Sequence, residues 1–188
     1  MWKRASPREG PGRHPSFDEE AVQHLPAIFD TALRLCGAEA DAQDLTHDTY
    51  VRALAAADRY ERRSSLRAWL LTILHNLFRT RLRDRSRHAQ VELDEEVLAA
   101  APEGEPVRWR AVTPVQLDAA LQSLPLKLRE VVVLRDLQGL SYREISQVLD
   151  VPAGTVMSRL SRGRMALKAA LLPTVEEAAP GDGRRDTR

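Results

Sequence analysis

Between Ala89 and Val107 the chain carries six acidic residues, two prolines, one glycine and no basic side chain. Nothing in this stretch repeats with a helical or strand period, and prolines remove backbone donors that either ladder needs. It therefore cannot be the middle of a packed core. It divides the 188 residues into two blocks, each of a size that folds as a small domain. The expected organisation is a tail at 1–15, a first domain at 16–88, a flexible acidic linker at 89–113, a second domain at 114–172 and a second tail at 173–188.

Both blocks read as helical. The composition is rich in Ala, Leu and Arg, and apolar residues do not alternate for more than a few positions. That excludes a half-buried sheet and predicts an all-α chain of two small helical domains. Helix starts are written in the capping residues: Ser16 with Glu19, Ser65 before "LRAWLLTIL", Thr113 before Pro114, and Ser141 with Glu144. Gly37 and Gly139 supply helix ends, the "DVPAG" corner with Gly154 joins the last two helices, and Pro173 is expected to stop the last one. Leu25, Ile28, Phe29, Ala32, Leu33 and Cys36 are expected on one buried side. Leu45, Val51 and Leu54 are expected to anchor the helix from about Glu39 to Ala57.

Several function classes are excluded early. A single cysteine, Cys36, allows no internal disulfide and no cysteine-based zinc site, and it is expected as a small core residue rather than a redox switch. No apolar run approaches the ~20 residues of a membrane span, and the first residues lack the apolar stretch of a secretory signal. A cytoplasmic protein without membrane insertion is expected. "LHNLFR" superficially resembles a His-Asn nuclease motif, but no second histidine or paired carboxylates stand at a metal-binding spacing. His75 is expected at a helix surface or domain edge, and neither a metal, a cofactor nor an enzymatic activity is expected.

The segment "SYREISQVLDVPAGTVMSRLSRGR" (141–164) carries the clearest functional signal. On a helical wheel Val156, Leu160, Gly163, Leu167 and Leu171 fall in one stripe, while Ser158, Ser161, Arg162 and Met165 point away. From Met157 to Lys168 there are four basic residues and no acidic one. A helix anchored on one face and bare and cationic on the other suits the major groove of DNA. An αα-hairpin with a solvated cationic face fits the same pattern. Elsewhere, Asp41, Asp44 and Asp48 share one helix face, either an acidic stripe for a basic partner or simply a solvated face. Between Arg59 and Arg87 nine arginines stand against two acids, an excess that attracts phosphates.

"LPLKLREVVVLRDLQGLSYREISQVLDVPAGTVMSRLSRGRMAL" resembles region 4 of the sigma-70 family of bacterial RNA polymerase sigma factors. "DAQDLTHDTYVRAL" and "LRAWLLTILHNLFRTRLRDRSR" resemble its regions 2.2 and 2.3–2.4, and two such domains without a third resemble the extracytoplasmic-function (ECF) group. The resemblance implies a non-enzymatic subunit that binds core polymerase through the β′ clamp helices and β flap, reads promoter DNA at the −35 and −10 elements, and helps to melt the latter. It implies Asp41, Gln43, Asp44, Leu45, His47, Asp48 and Arg52 at the polymerase; His47 stands where the family most often has Gln. It implies Arg62, Arg63, Ser64 and Ser65, with Arg79, Arg83 and Arg87, at the −10 element. At the −35 element it implies Met157, Ser158, Ser161 and Arg162 facing bases and Thr155, Arg159 and Arg164 nearer phosphates. An anti-sigma factor is an expected further partner. An autonomous helix-turn-helix regulator is the alternative, although the chain has no obvious dimer helix.

Overall fold

A computed structural model describes residues 16–61, 65–89 and 112–177; the linker and both tails, apart from Ala89, Val112 and Thr113 and the stretch 173–177, lie outside the described residues. Every regular element among them is helical. In the first half α1 (Phe17–Gln23), α2 (Leu25–Cys36) and α3 (Glu39–Ala55) lead through a short 3-10 turn at Ala57–Arg59 into α4 (Leu66–Ala89). In the second half α5 (Pro114–Ser123) and α6 (Leu126–Val132) precede a wide π turn at Val133–Leu137, then α7 (Tyr142–Leu149) and α8 (Ala153–Glu177).

Local chemistry sets the boundaries. The Ser16 hydroxyl accepts from the Glu19 N–H while the Glu19 carboxylate accepts from the Ser16 N–H, and Ser141 with Glu144 repeats the arrangement. Thr113 does the same with Gln116 ahead of Pro114, and the Ser65 hydroxyl accepts the Ala68 N–H at 3.3 Å to open α4. Gly37 ends α2 at φ 77°, and a Cβ there would lie 2.9 Å from the Gln122 side chain of the second half. The corner before α8 is turned by Asp150 at φ 53°; Gly154 sits inside the first turn of α8 with open space around it, so it is not the corner residue. Nor does Pro173 stop α8, which runs to Glu177: a proline deletes one backbone donor, yet the remaining bonds hold the turn.

Ile28, Ala32 and Leu35 of α2, Ala42, Leu45 and Ala53 of α3, and Leu66, Leu70, Leu71, Leu74, Leu77 and Phe78 of α4 form the first core. Thr31, Thr46 and Thr49 are buried with them, their hydroxyls donating to the carbonyls four residues earlier. Leu25, Val51 and Leu54 are 43%, 53% and 49% exposed, contrary to the expected stripes. The side of α3 that packs is lined by Ala42, Leu45, Thr46, Thr49 and Ala53, and Val51 lies opposite. In the second half α8 lies tightly on α6: a Cβ on Gly163 would come within 2.7 Å of Val132 Cγ2 and 3.1 Å of the Leu128 carbonyl.

The halves touch. α7 packs on α4, and α2 packs on α5, α6 and the π turn. Here His75 is 3% exposed, not at the solvent surface, with Nε2 3.0 Å from Glu130 Oε1 of α6.

Candidate functional surfaces

The acidic stripe of α3 divides under the pull of α4. Arg85 reaches the Asp41 carboxylate at 2.9 Å and Arg81 reaches that of Asp48 at 2.5 Å. Asp44 is exposed and has no ion-pair partner among the described residues. Gln43, His47 and Arg52 are exposed, the Gln43 amide donating to Glu39 at 3.2 Å. Leu45 is wholly buried, so it belongs to the core and offers nothing to a partner. Exposed Val51 and Leu54 lie beyond His47 at i+4 and i+7. Together they give this face an apolar component that helical phase, read against Leu45 and Thr49, would have revealed.

The arginines of α4 sort by phase. Arg81 and Arg85 turn toward α3, whereas Arg79 and Arg83 stand exposed on the opposite side with Asn76 and Thr80. Asn76 is an addition to the expected set, and its position three residues before Arg79 is the signal that puts it on the same face. Arg83 is oriented by its own helix, donating to the Arg79 carbonyl at 3.3 Å. The Arg87 side chain and all of Arg62, Arg63 and Ser64 lie outside the described residues. Ser65 is occupied as the cap of α4. On either side of that stretch of sequence, Tyr60 and Trp69 pack with Phe17 as three rings with centroids 5.5–5.8 Å apart. Half-buried and packed on one another and on the core, these rings favour packing over base stacking for Trp69.

On α8, Val156, Leu160, Gly163, Leu167 and Leu171 are buried, and Met157, Ser158 and Ser161 are exposed. Thr155, Arg159, Arg162 and Met165 are half-buried at the flanks, Thr155 accepting the Ser158 hydroxyl through its carbonyl and Arg162 donating to the Ser158 carbonyl. Arg164 is exposed but engaged: it grips both oxygens of Asp136, whose hydrogen bonds raise its already high pKa. In this structure its guanidinium therefore faces a carboxylate. The support helix begins with Tyr142, whose ring carries the Arg135 guanidinium at 4.9 Å. At this first turn the Glu144 carboxyl is held below its ordinary range, chiefly by hydrogen bonds from Ser141 and also by Arg67 of α4.

Cys36 is half-buried, and burial, reinforced by Asp41, pushes its thiol up. No described helix is long and apolar enough to cross a membrane.

A helix-turn-helix with a bare outer face, joined to a helical module with one acidic and one cationic face, defines a two-module transcription protein. The family model for sigma-70 region 2 matches residues 21–88 and that for sigma-70 region 4 matches residues 115–167. The chain belongs to the sigma-70 family of RNA polymerase sigma factors, in its ECF group. It is 39% identical over 168 residues to the ECF RNA polymerase sigma factor SigE of Mycolicibacterium smegmatis, covering 88% of this chain and 65% of that protein. It is 33% identical to the ECF sigma factor EcfG of Rhodopseudomonas palustris, covering 89% of this chain and 92% of that one. Among solved structures it is similar to the sigma factor RpoE from Bartonella quintana, determined in complex with the anti-sigma factor NepR. That match has a TM-score of 0.69 at 32% identity and covers 83% of this chain and 96% of that chain.

Proposed function

We propose that this sigma factor docks on core polymerase through the outer face of α3 and holds promoter DNA with both halves. Asp44, His47, Val51 and Leu54, flanked by Gln43 and Arg52, would meet the β′ clamp helices; the mixed acidic and apolar character suits a basic helical partner. The second half would sit near the β flap. Arg79, Arg83 and Asn76 would track the −10 DNA, and Arg62, Arg63, Ser64 and Ser65 would take the unstacked strand. Met157, Ser158 and Ser161 would face −35 base edges, with Arg159 and Arg162 beside them.

The observation that carries this reading is the outward display of Met157, Ser158 and Ser161 above a buried Leu160 and Gly163. A solvated hairpin also leaves one face bare, but four basic and no acidic residues from Met157 to Lys168 favour an anionic partner for this one. Such a subunit contributes binding and strand separation, with no bond-making step of its own, and works in the cytoplasm. Control by an anti-sigma factor is supported by the Bartonella quintana relative's complex.

The test is promoter-specific transcription with purified core polymerase over a genomic library. Initiation that depends on the added chain and is lost in Asp44→Arg supports the reading. DNA binding of equal specificity without polymerase would favour an autonomous regulator.

A further inference from the structure

We propose that Asp136 is a built-in counter-anion for the DNA-facing helix. By holding Arg164 it keeps that guanidinium off phosphate, and so sets how strongly, and with how much salt sensitivity, the second half grips a −35 duplex. The inference rests on the sigma-factor reading and adds to it a positioning residue that touches no DNA itself.

Helical phase puts Arg164 on the face where DNA is expected. It follows Met157 by seven residues and Ser161 by three. At ~100° per residue its direction falls within about 20° of the first and about 60° of the second. Met157 and Ser161 both stand exposed on the bare side of α8. A guanidinium released at that place would be one more phosphate ligand. Instead its Nε donates to Asp136 Oδ2 at 2.9 Å and its Nη2 to Oδ1 at 2.5 Å, a two-pronged pairing that engages both carboxylate oxygens.

The carboxylate comes from a platform that is itself fixed. In the π turn Val133 and Leu134 are buried, the Gln138 N–H donates to the Val133 carbonyl at 3.0 Å, and the Gly139 N–H donates to the Arg135 carbonyl at 3.1 Å. Arg135, next to Asp136 in the chain, is held toward the support helix. It donates to the Leu140 carbonyl at 2.7 Å with its guanidinium over the Tyr142 ring. Asp136 is thus presented to α8 by a turn whose backbone and neighbouring side chain are already committed.

Exposed ion pairs are ordinarily weak, so the strength of this one does not by itself decide where Arg164 goes. The exchange decides it. Moving Arg164 to a phosphate trades one anion for another and leaves Asp136, whose side chain is 25% exposed, as an uncompensated charge beside a polyanion. That trade gains little, so the pair persists and Arg164 releases no counterion from the duplex. A deliberately moderate hold by the second half fits a chain whose two DNA sites act together on one polymerase, where effective concentration supplies the rest.

The experiment titrates core polymerase carrying the full chain across salt concentrations on two probes. One is a duplex with the −35 element of a promoter recovered in the library transcription, and the other is a scrambled duplex of equal length. Asp136→Asn keeps the side-chain shape and removes the charge. It should tighten binding to both probes about fivefold at physiological salt and steepen the slope of log affinity against log salt by about one. Adding Arg164→Ala to Asp136→Asn should return both quantities to the parental values. Parental affinity and slope in a folded Asp136→Asn chain would overturn the proposal. So would an Arg164→Ala chain whose slope falls by about one while Asp136 is intact, a result that decides the matter even where Asp136→Asn does not fold. A parental chain that directs no initiation from the library would instead overturn the sigma-factor reading, and the proposal with it.

Discussion

Arg164 of α8 and Asp136 of the π turn meet through two hydrogen bonds, at 2.9 and 2.5 Å, fastening the recognition helix to the element that precedes its support helix. Because this guanidinium already faces an anion, Arg164→Ala should leave the salt dependence of −35 binding nearly unchanged. Arg159→Ala should lower the slope of log affinity against log salt by about one. Titrating holoenzyme binding to a −35 probe across salt concentrations separates the two. The exposed pair contributes only about 0.5 kcal/mol to folding, so both variants should melt close to the parent.

On α3, neighbouring motif residues should behave in opposite ways. Asp44→Arg and Val51→Asp should abolish or sharply weaken core-polymerase binding while the melting temperature hardly moves, since both side chains are exposed. Leu45→Ala should lose about 2–5 kcal/mol of stability, because Leu45 is completely buried. Chemical denaturation beside a core-polymerase pull-down reads both. A Leu45→Ala chain of parental stability would contradict the placement of that residue.

Gly163 marks the closest approach of α8 to α6. Gly163→Ala introduces a methyl group 2.7 Å from Val132 Cγ2 and 3.1 Å from a backbone carbonyl that cannot swing aside. Destabilisation of about 1–3 kcal/mol is expected by thermal melting. Val132→Ala made with it should recover part of the loss.

The Ser141–Glu144 box should make stability pH-dependent. Its Glu144 carboxyl titrates below the ordinary value because Ser141 donates to the carboxylate and Arg67 lies near. A depressed folded-state pKa means the contribution is present above the ordinary glutamate range and is lost as pH falls through the folded value. Glu144→Gln should therefore flatten the acid limb of a stability-versus-pH curve and leave neutral stability only slightly lower.

Cys36 should alkylate slowly near neutral pH. Burial raises its pKa, so the thiolate appears only at pH values above those of an ordinary cysteine. Rates of iodoacetamide labelling measured against pH, beside a free-thiol peptide, check this.

The features legible in the sequence are local. Ser16–Glu19, Thr113–Pro114 and Ser141–Glu144 set helix starts because capping acts over three or four residues. The buried stripe of α8 comes from period alone. The features that escape depend on distant partners or on phase. Nothing beside Asp41 and Asp48 in the chain announces that Arg85 and Arg81, 44 and 33 residues later, will meet them. His75 reads as an edge residue in the sequence, but its burial against Glu130 requires a second domain to arrive. Leu45, Val51 and Leu54 are equally apolar as letters, and only the packed neighbours decide that Leu45 faces in and the other two face out.

The alternation along the end of α4 sets a constraint on length as well as on charge. Arg81 and Arg85 answer the aspartates of α3 while Arg79 and Arg83 look outward, and each residue added to a helix rotates every later position by about 100°. Deleting Thr80 would keep every arginine in the chain yet turn Arg81, Arg83 and Arg85 away from the directions they now face. Selection on this segment thus acts on angular order, and a variant with unchanged composition but a slipped phase would fail at both of its surfaces together.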